Sequence, residues 1–308
     1  MQLAQQLTNK YQSLVTEEGG GDDDDGEEER ALAAAGCVTA IRRILEALNK
    51  DKTGLAQVLP IIYPILMHTI TPDGLDSIDD GLDCINIFIY YACDRETRIP
   101  NELWKLLPQM LYMVAGNDDD VDGGFAHEYL SQVSICLQNY ISKDPTTFIS
   151  VGEGQTETYF ELTFKFIQRI LVINQNSVHK QDGVTILRVV IALLENLPGQ
   201  IDFALPKLVG MLLAENKVAF ENETPPNFRS MVLQSLAMAI YNSSLTTLGI
   251  IEQEQQTFTV FSNWLGYMDQ FKLEFEIRRI LWGLLSIIKT PPASIPQMVQ
   301  SQLPEITK

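Results

Sequence analysis

Apolar residues recur at helical spacing along almost the whole chain. In KLEFEIRRILWGLLSIIK, the residues Ile277, Ile280, Leu281, Leu284 and Ile288 fall on one face of a 3.6-residue helix. DGLDCINIFIYYAC carries a similar stripe through Leu82, Ile85, Ile89 and Ala92. In GVTILRVVIALLENLPG the stripe is Ile186, Val189, Val190, Leu193 and Leu197, and Pro198-Gly199 stops it. YFELTFKFI alternates in part, but it runs into QRILVIN with helical spacing and reads as helix. The pattern predicts helices over 1–15, 31–49, 54–70, 76–93, 100–115, 124–143, 157–174, 182–197, 201–214, 226–242, 257–269, 272–289 and 294–302. Short links between them force neighbours to pack antiparallel.

A period overlies this pattern. QVLPIIYPIL, KLLPQMLYMV and FALPKLVGML read alike, with prolines at Pro60, Pro108 and Pro206. A missing member would fall near residue 157, where another helix is expected. A spacing of about 40 to 50 residues with two helices per unit is the signature of HEAT or armadillo repeats. Each proline should sit within a turn or two of its helix start, where the missing N–H costs least. Pro60 is the exception, and a kink or late start is expected there. The expected fold is all-α, a HEAT-repeat superhelix (solenoid) of about six helix pairs, because a single amphipathic pair cannot close its own core. Stacked pairs bend into a long binding surface with no need for a pocket. One such segment is expected to fill 1–308, and the chain reads as a fragment of a longer protein. The polar start MQLAQQLTNKYQSL is no secretory leader, and Leu3, Leu7 and Leu14 read as a helix whose partners lie upstream.

Charge changes the picture. The chain of 308 residues carries 40 acids against 22 bases, a formal charge of −18. Half of that excess sits in residues 17–29, which hold nine carboxylates and no base. Glycines and self-repulsion there disfavour a helix, so an acidic, disordered loop is expected, built on Asp22, Asp23, Asp24, Asp25, Glu27, Glu28 and Glu29. A second acidic group, Asp118, Asp119, Asp120 and Asp122, lies in a link, and a third runs through TPDGLDSIDDGLD. Helix capping explains part of the third. The flexible polyanion reads as a trap for lysine-rich protein partners, with a solvated insertion as the alternative. The same charge argues against nucleic acid and anionic membrane, and no stretch of about eighteen apolar residues exists to span a bilayer.

Candidate chemistry is sparse. His68, His127 and His179 have no second His or Cys at helical spacing, so no metal site is expected. GNDDDVDGG loosely matches a calcium loop, but position twelve from Asp118 is Tyr129. No phosphate-cradling glycine motif and no nucleophile elbow occurs, so neither a cofactor nor an enzyme is expected. Cys37, Cys84, Cys93 and Cys136 read as buried, reduced thiols. Arg42-Arg43 and Arg278-Arg279, both in IRRIL, read as snorkelling pairs, or as salt bridges to a neighbouring repeat's acids.

The acidic run followed by ALAAAGCVTAIRRILEAL resembles nuclear import receptors of the importin-β (karyopherin-β) superfamily. So do LDSIDDGLDCINIFIYYACDRETRIPNELWKLLPQMLYMV leading into GFAHEYLSQVSICLQNYISKDP, and further on FRSMVLQSLAMAIYN and WLGYMDQFKLEFEIRRILWGLLSII. The likeness covers roughly residues 17–290, is closest to the importin-7/importin-8 type, and fits its carboxy-terminal repeats. It implies basic protein cargo such as ribosomal proteins or histones, FG-repeat nucleoporins, release by the Ran GTPase, and shuttling between cytoplasm and nucleus. Ran contacts would come mainly from an amino-terminal part not matched here, so no Ran-contact residue carries over. The family's acidic loops map onto 17–29 and onto 118–122. The alternative is a HEAT-repeat scaffold subunit of a multiprotein complex.

Overall fold

A computed structural model describes residues 1–16, 24–94, 96–117, 120, 122–176 and 180–306. Among them the chain forms fifteen α-helices and no strand, with one isolated bridge between Val151 and Thr158. It is all-α and of the HEAT-repeat kind, and it divides into two compact units, Met1–Ile173 and Asn174–Lys308.

The first unit contains α1 (Gln2–Thr16), α2 (Asp24–Ala47), α3 (Lys52–Thr69), α4 (Ile78–Ile87), α5 (Asn101–Ala115), α6 (Leu130–Lys143), the single turn α7 (Pro145–Phe148) and most of α8 (Tyr159–Asn176). α2, α4 and α6 lie side by side as one layer, and α1, α3 and α5 back them. The chain turns through 119° between α3 and the segment from Pro72 that includes α4. No single helix among the described residues is long and apolar enough to cross a membrane.

Apolar seams between the layers supply the adhesion, and polar rungs set the register. Gln132 Nε2 donates to Asp79 at 3.1 Å and Lys143 Nζ to the Tyr90 carbonyl at 2.9 Å, each 53 residues apart. Asn139 donates to Asn86 at the same separation. Arg42 reaches from α2 to Asp80 at 2.6 Å and Asp83 at 3.0 Å on α4, with Glu46 of its own helix at 3.6 Å. Burial works against the Arg42 charge, but these carboxylates outweigh it and raise the guanidinium above its ordinary value.

The second unit contains α9 (Gln181–Asn196), α10 (Leu205–Glu221), α11 (Pro226–Asn242), α12 (Ser244–Gln253), α13 (Thr257–Tyr267), α14 (Glu274–Lys289) and α15 (Gln297–Ile306). α11 is its centre, packed between α9 and α14 and against α10. The rungs repeat here: Arg279 reaches Glu195 at 2.8 Å and Gln234 at 3.0 Å, while Ser230 donates to Glu276 at 2.9 Å. The expected bridges from the IRRIL pairs are therefore made by Arg42 and Arg279. Arg43 pairs with Glu46 on its own helix at 2.7 Å, and Arg278 lies 5.3 Å from the Trp282 ring centroid.

Several expectations need correction. α2 starts at Asp24, so Asp24 to Glu29 are helical and not the expected loop. The carboxylates of Glu27, Glu28 and Glu29 lie near the positive end of the helix dipole, which offsets part of their mutual repulsion. Residues 17–23, and with them Asp22 and Asp23, lie outside the described residues. Pro206 lies in the first turn of α10 and Pro108 about two turns into α5, as expected, but α3 starts at Lys52, so Pro60 sits inside it, with Pro64, and there is no late start. The region expected as helix from 124 opens with the 3-10 turn His127–Tyr129 before α6. On α14 only half the expected stripe is covered: Ile280 and Leu284 are buried, but Ile277, Leu281 and Ile288 are 42%, 48% and 46% exposed. The reason is Gly283, where an added Cβ would lie 2.8 Å from the Ala237 carbonyl oxygen. That closest approach to α11 turns the 280–283–287 line inward and leaves the adjacent line at the edge.

Candidate partner-binding face

Glu27, Glu28 and Glu29 project to solvent from the first turns of α2. Across from them lies the 3-10 turn Pro72–Ser77, which Thr71 enters in extended conformation and which presents Asp73 and Asp76. Between α1, α2 and this turn is a cleft of about 510 Å³. Leu14, Val15, Ala31 and Ala34 give it apolar walls; Glu27, Asp73 and Asp76 line it with carboxylates. Tyr11 and His68 meet beside it, the phenol oxygen 2.8 Å from Nδ1. Burial pushes the Tyr11 phenol up to about 12, so it stays protonated.

The negative field extends along the layer. Tyr129, ahead of α6, is raised first by burial and then by the charges of Asp79, Glu128 and Asp76. Among the described residues Arg30 is the one Lys or Arg lining the cleft, 3.9 Å from Glu27. The structure thus joins the last acids of the stretch, through Glu27, to the third acidic group, through Asp73 and Asp76. Capping alone is expected to explain only part of that third group. The N-cap of α4, Ser77, makes no side-chain cap bond, and Asp73 and Asp76 are exposed instead.

The chain is 23% identical over 275 residues to the importin beta-like SAD2 homolog of Arabidopsis thaliana, an alignment covering 86% of this chain and 25% of that protein. It is 23% identical over 266 residues to the probable importin-7 homolog of Dictyostelium discoideum, covering 85% and 23%. The chain is thus similar to importins of the importin-β superfamily, importin-7 type. It spans about a quarter of the length of these importin-like relatives. No family model and no solved structure matches it.

The second acidic group stands apart from the first. Asp118 and Asp119 lie outside the described residues. Asp120 is tied down locally: its Oδ2 accepts from the Asn117 amide at 2.6 Å. Arg169 of α8 donates to the backbone carbonyls of Asn117 at 2.9 Å and of Asp120, which brings a cation into the loop. Asp122 shares no cleft with Glu27, Asp73 or Asp76. A separate apolar cleft of about 290 Å³ lies between α5 and α8, lined by Pro108, Leu111, Leu162 and Phe166 among others.

Nothing in the described residues resembles a metal centre. No group of three or more His, Cys, Asp or Glu side chains is arranged to hold an ion. His127 Nδ1 is 3.0 Å from the Val114 carbonyl, and His179 lies outside the described residues. All four cysteines are buried and unbridged. Burial raises the carboxyl of Glu215 to about 7. It is 1% exposed and lines neither cleft, so it has no substrate to act on there.

Proposed function

We propose that this chain forms part of the cargo-holding surface of a nuclear transport receptor, and that it binds basic protein segments. The cargo class is that of ribosomal proteins and histones. Glu27, Glu28, Glu29, Asp73 and Asp76 receive lysine and arginine heads, and the apolar walls of the cleft receive their methylene stems. Asp22, Asp23, Asp24 and Asp25 add to the attraction at longer range, and Asp118 to Asp122 form a weaker second patch. The observation that carries this reading is the gathering of Glu27, Asp73 and Asp76 around one cleft, at the root of a stretch holding half the net charge.

The same reading includes FG-repeat nucleoporins, Ran-driven release through a part of the receptor outside this chain, and shuttling between cytoplasm and nucleus. The apolar cleft between α5 and α8 has room for one aromatic side chain of such a repeat. The decisive experiment is made in the full-length protein, with Asp22–Asp25 replaced by Asn, Glu27–Glu29 by Gln, and Asp73 and Asp76 by Asn. Binding of a lysine-rich linker histone should weaken by about tenfold or more at low salt, and the gap should narrow as salt rises. Unchanged affinity would refute the role of these acids. Capture of one fixed partner with little salt dependence and no effect of GTP-loaded Ran would favour the scaffold alternative.

A further inference from the structure

A second cleft lies on the layer formed by α2, α4 and α6, away from the acids just described. It measures about 520 Å³ and is lined by Glu46, Asp83, Asn86, Tyr90, Tyr91 and Ile135, among others. Its origin is local. Directly after α4 the chain makes a π-turn, Phe88–Ala92. Consecutive residues of an α-helix point about 100° apart, so two adjacent tyrosines there would divide between core and solvent. The wider turn leaves Tyr90 53% and Tyr91 40% exposed, with their rings edge to face at 4.8 Å. π-turns are rare and occur frequently at functional sites. Rings this exposed bury less apolar area than core positions would, and their faces stay open to a partner.

The chemistry around the rings favours a cation. Lys143 already demonstrates it, with Nζ 4.8 Å from the Tyr90 ring centroid and 2.9 Å from the Tyr90 carbonyl oxygen. At the other end of the cleft, Asp83 and Glu46 share the guanidinium of Arg42 with Asp80. Arg43 is the other cation paired there, and it reaches Glu46 alone. At this end of the cleft three carboxylates face two guanidinium groups, while Lys143 sits at the other end over Tyr90. A face of aromatic rings next to a carboxylate suits a planar, weakly hydrated guanidinium better than a compact ammonium.

We infer that this cleft is an arginine-reading subsite, in which Tyr90 and Tyr91 stack on the guanidinium of an arginine from a partner protein and Asp83 and Glu46 take its charge. It deepens the basic-cargo reading and rests on it. It adds a preference that the acidic stretch cannot supply, since carboxylates on exposed turns attract lysine and arginine alike.

The test uses the full chain and two labelled ten-residue probes, one alternating arginine with glycine and one alternating lysine with glycine, read by fluorescence anisotropy. The unaltered chain should bind the arginine probe more tightly. Tyr90→Leu with Tyr91→Leu keeps apolar volume and should lower arginine-probe affinity about fivefold, with little change for lysine. Tyr90→Phe with Tyr91→Phe keeps the ring faces and should retain the preference. Lys143→Ala vacates one ring and should tighten the arginine probe. Equal binding of both probes by the unaltered chain, or an arginine affinity indifferent to the Leu pair, would overturn the subsite. If neutralising Glu27–Glu29, Asp73 and Asp76 weakens both probes while the Leu pair weakens neither, the subsite fails and the basic-cargo reading stands. If neither set matters, both fail.

Discussion

Replacing Glu215 with Gln should stabilise the second unit above neutral pH and leave it unchanged in acid. Glu215 lies on α10 and is 1% exposed, and its Oε2 has no hydrogen-bond partner among the described residues. Burial raises its carboxyl from 4.5 to about 7, against the opposing pull of Lys180 and a hydrogen bond from Gln175. Lys180 does not neutralise it, because its ammonium is held by the carbonyls of Asn174 at 2.8 Å and Gln175 at 2.9 Å. The folded chain therefore holds this proton more tightly than the unfolded chain does. Its contribution to stability is complete below about pH 4.5 and is lost as pH climbs through the folded value near 7. One unit of difference is worth about 1.4 kcal/mol, so the loss amounts to about 3 kcal/mol. Glutamine keeps the shape and never ionises. The measurement is urea unfolding at pH 5 and pH 8 in a Trp104→Phe background, so that Trp264 and Trp282 report the second unit. The two proteins should have similar midpoints at pH 5, with Glu215→Gln the more stable by up to about 3 kcal/mol at pH 8. Parallel pH profiles would refute the reasoning, because they would mean that Glu215 reaches water and titrates normally.

Three further outcomes follow from the packing. Gly283→Ala forces a Cβ to within 2.8 Å of the Ala237 carbonyl; the gain in helix propensity is about 1 kcal/mol and the overpacking cost about 1–3, so thermal melting should fall. Arg42→Met leaves Asp80, Asp83 and Glu46 without their shared cation; a loss of about 1–3 kcal/mol is expected, partly restored by salt or by Asp80→Asn, and an unchanged midpoint would show the bridge to be idle. Thiol titration of the native chain should leave Cys84 and Cys136 unmodified until the chain unfolds, since both are fully buried and burial pushes Cys136 up to about 12.

How far these features were legible in the sequence depends on whether a residue's role is local. The helix register was legible, because apolar spacing on α9 or α11 reports a buried stripe whatever the neighbours are. The repeat spacing was legible too, and it reappears in rungs joining residues 53 apart, such as Gln132 with Asp79. α12 was missed, since SLTTLGIIEQ is rich in residues that compete with helix; Thr247 is buried there and donates to the Ala239 carbonyl at 2.9 Å, a tertiary role. The half-covered face of α14 was not legible because a glycine's close approach decides it. The π-turn was not legible either: CINIFIYYAC continues the helical stripe. For the candidate site, Glu27 was named from the sequence, but its juxtaposition with Asp73 and Asp76 needed the fold.

That juxtaposition gains weight from what the other carboxylates do. Many of the acids outside the first turns of α2 are spent on structure. Asp80 and Asp83 hold Arg42, and Glu195 holds Arg279. Glu276 takes Ser230 while capping its own helix, and Asp94 holds Lys52. Even Asp120 is folded into its own loop. Such rungs fix register, and their charge is largely cancelled at short range. Glu28, Glu29, Asp73 and Asp76 have no cationic partner among the described residues, and Glu27 has only Arg30 at 3.9 Å. Of these, Glu27, Asp73 and Asp76 gather around a cleft with apolar walls in the first unit. A stack of helix pairs needs no such excess for stability, because like charges close together weaken it. The excess is therefore best understood as a cost carried for binding a cation from outside. If it is, an isolated chain with these residues neutralised should melt higher than the original while holding its basic partner less well. A variant that loses both stability and binding would contradict that trade.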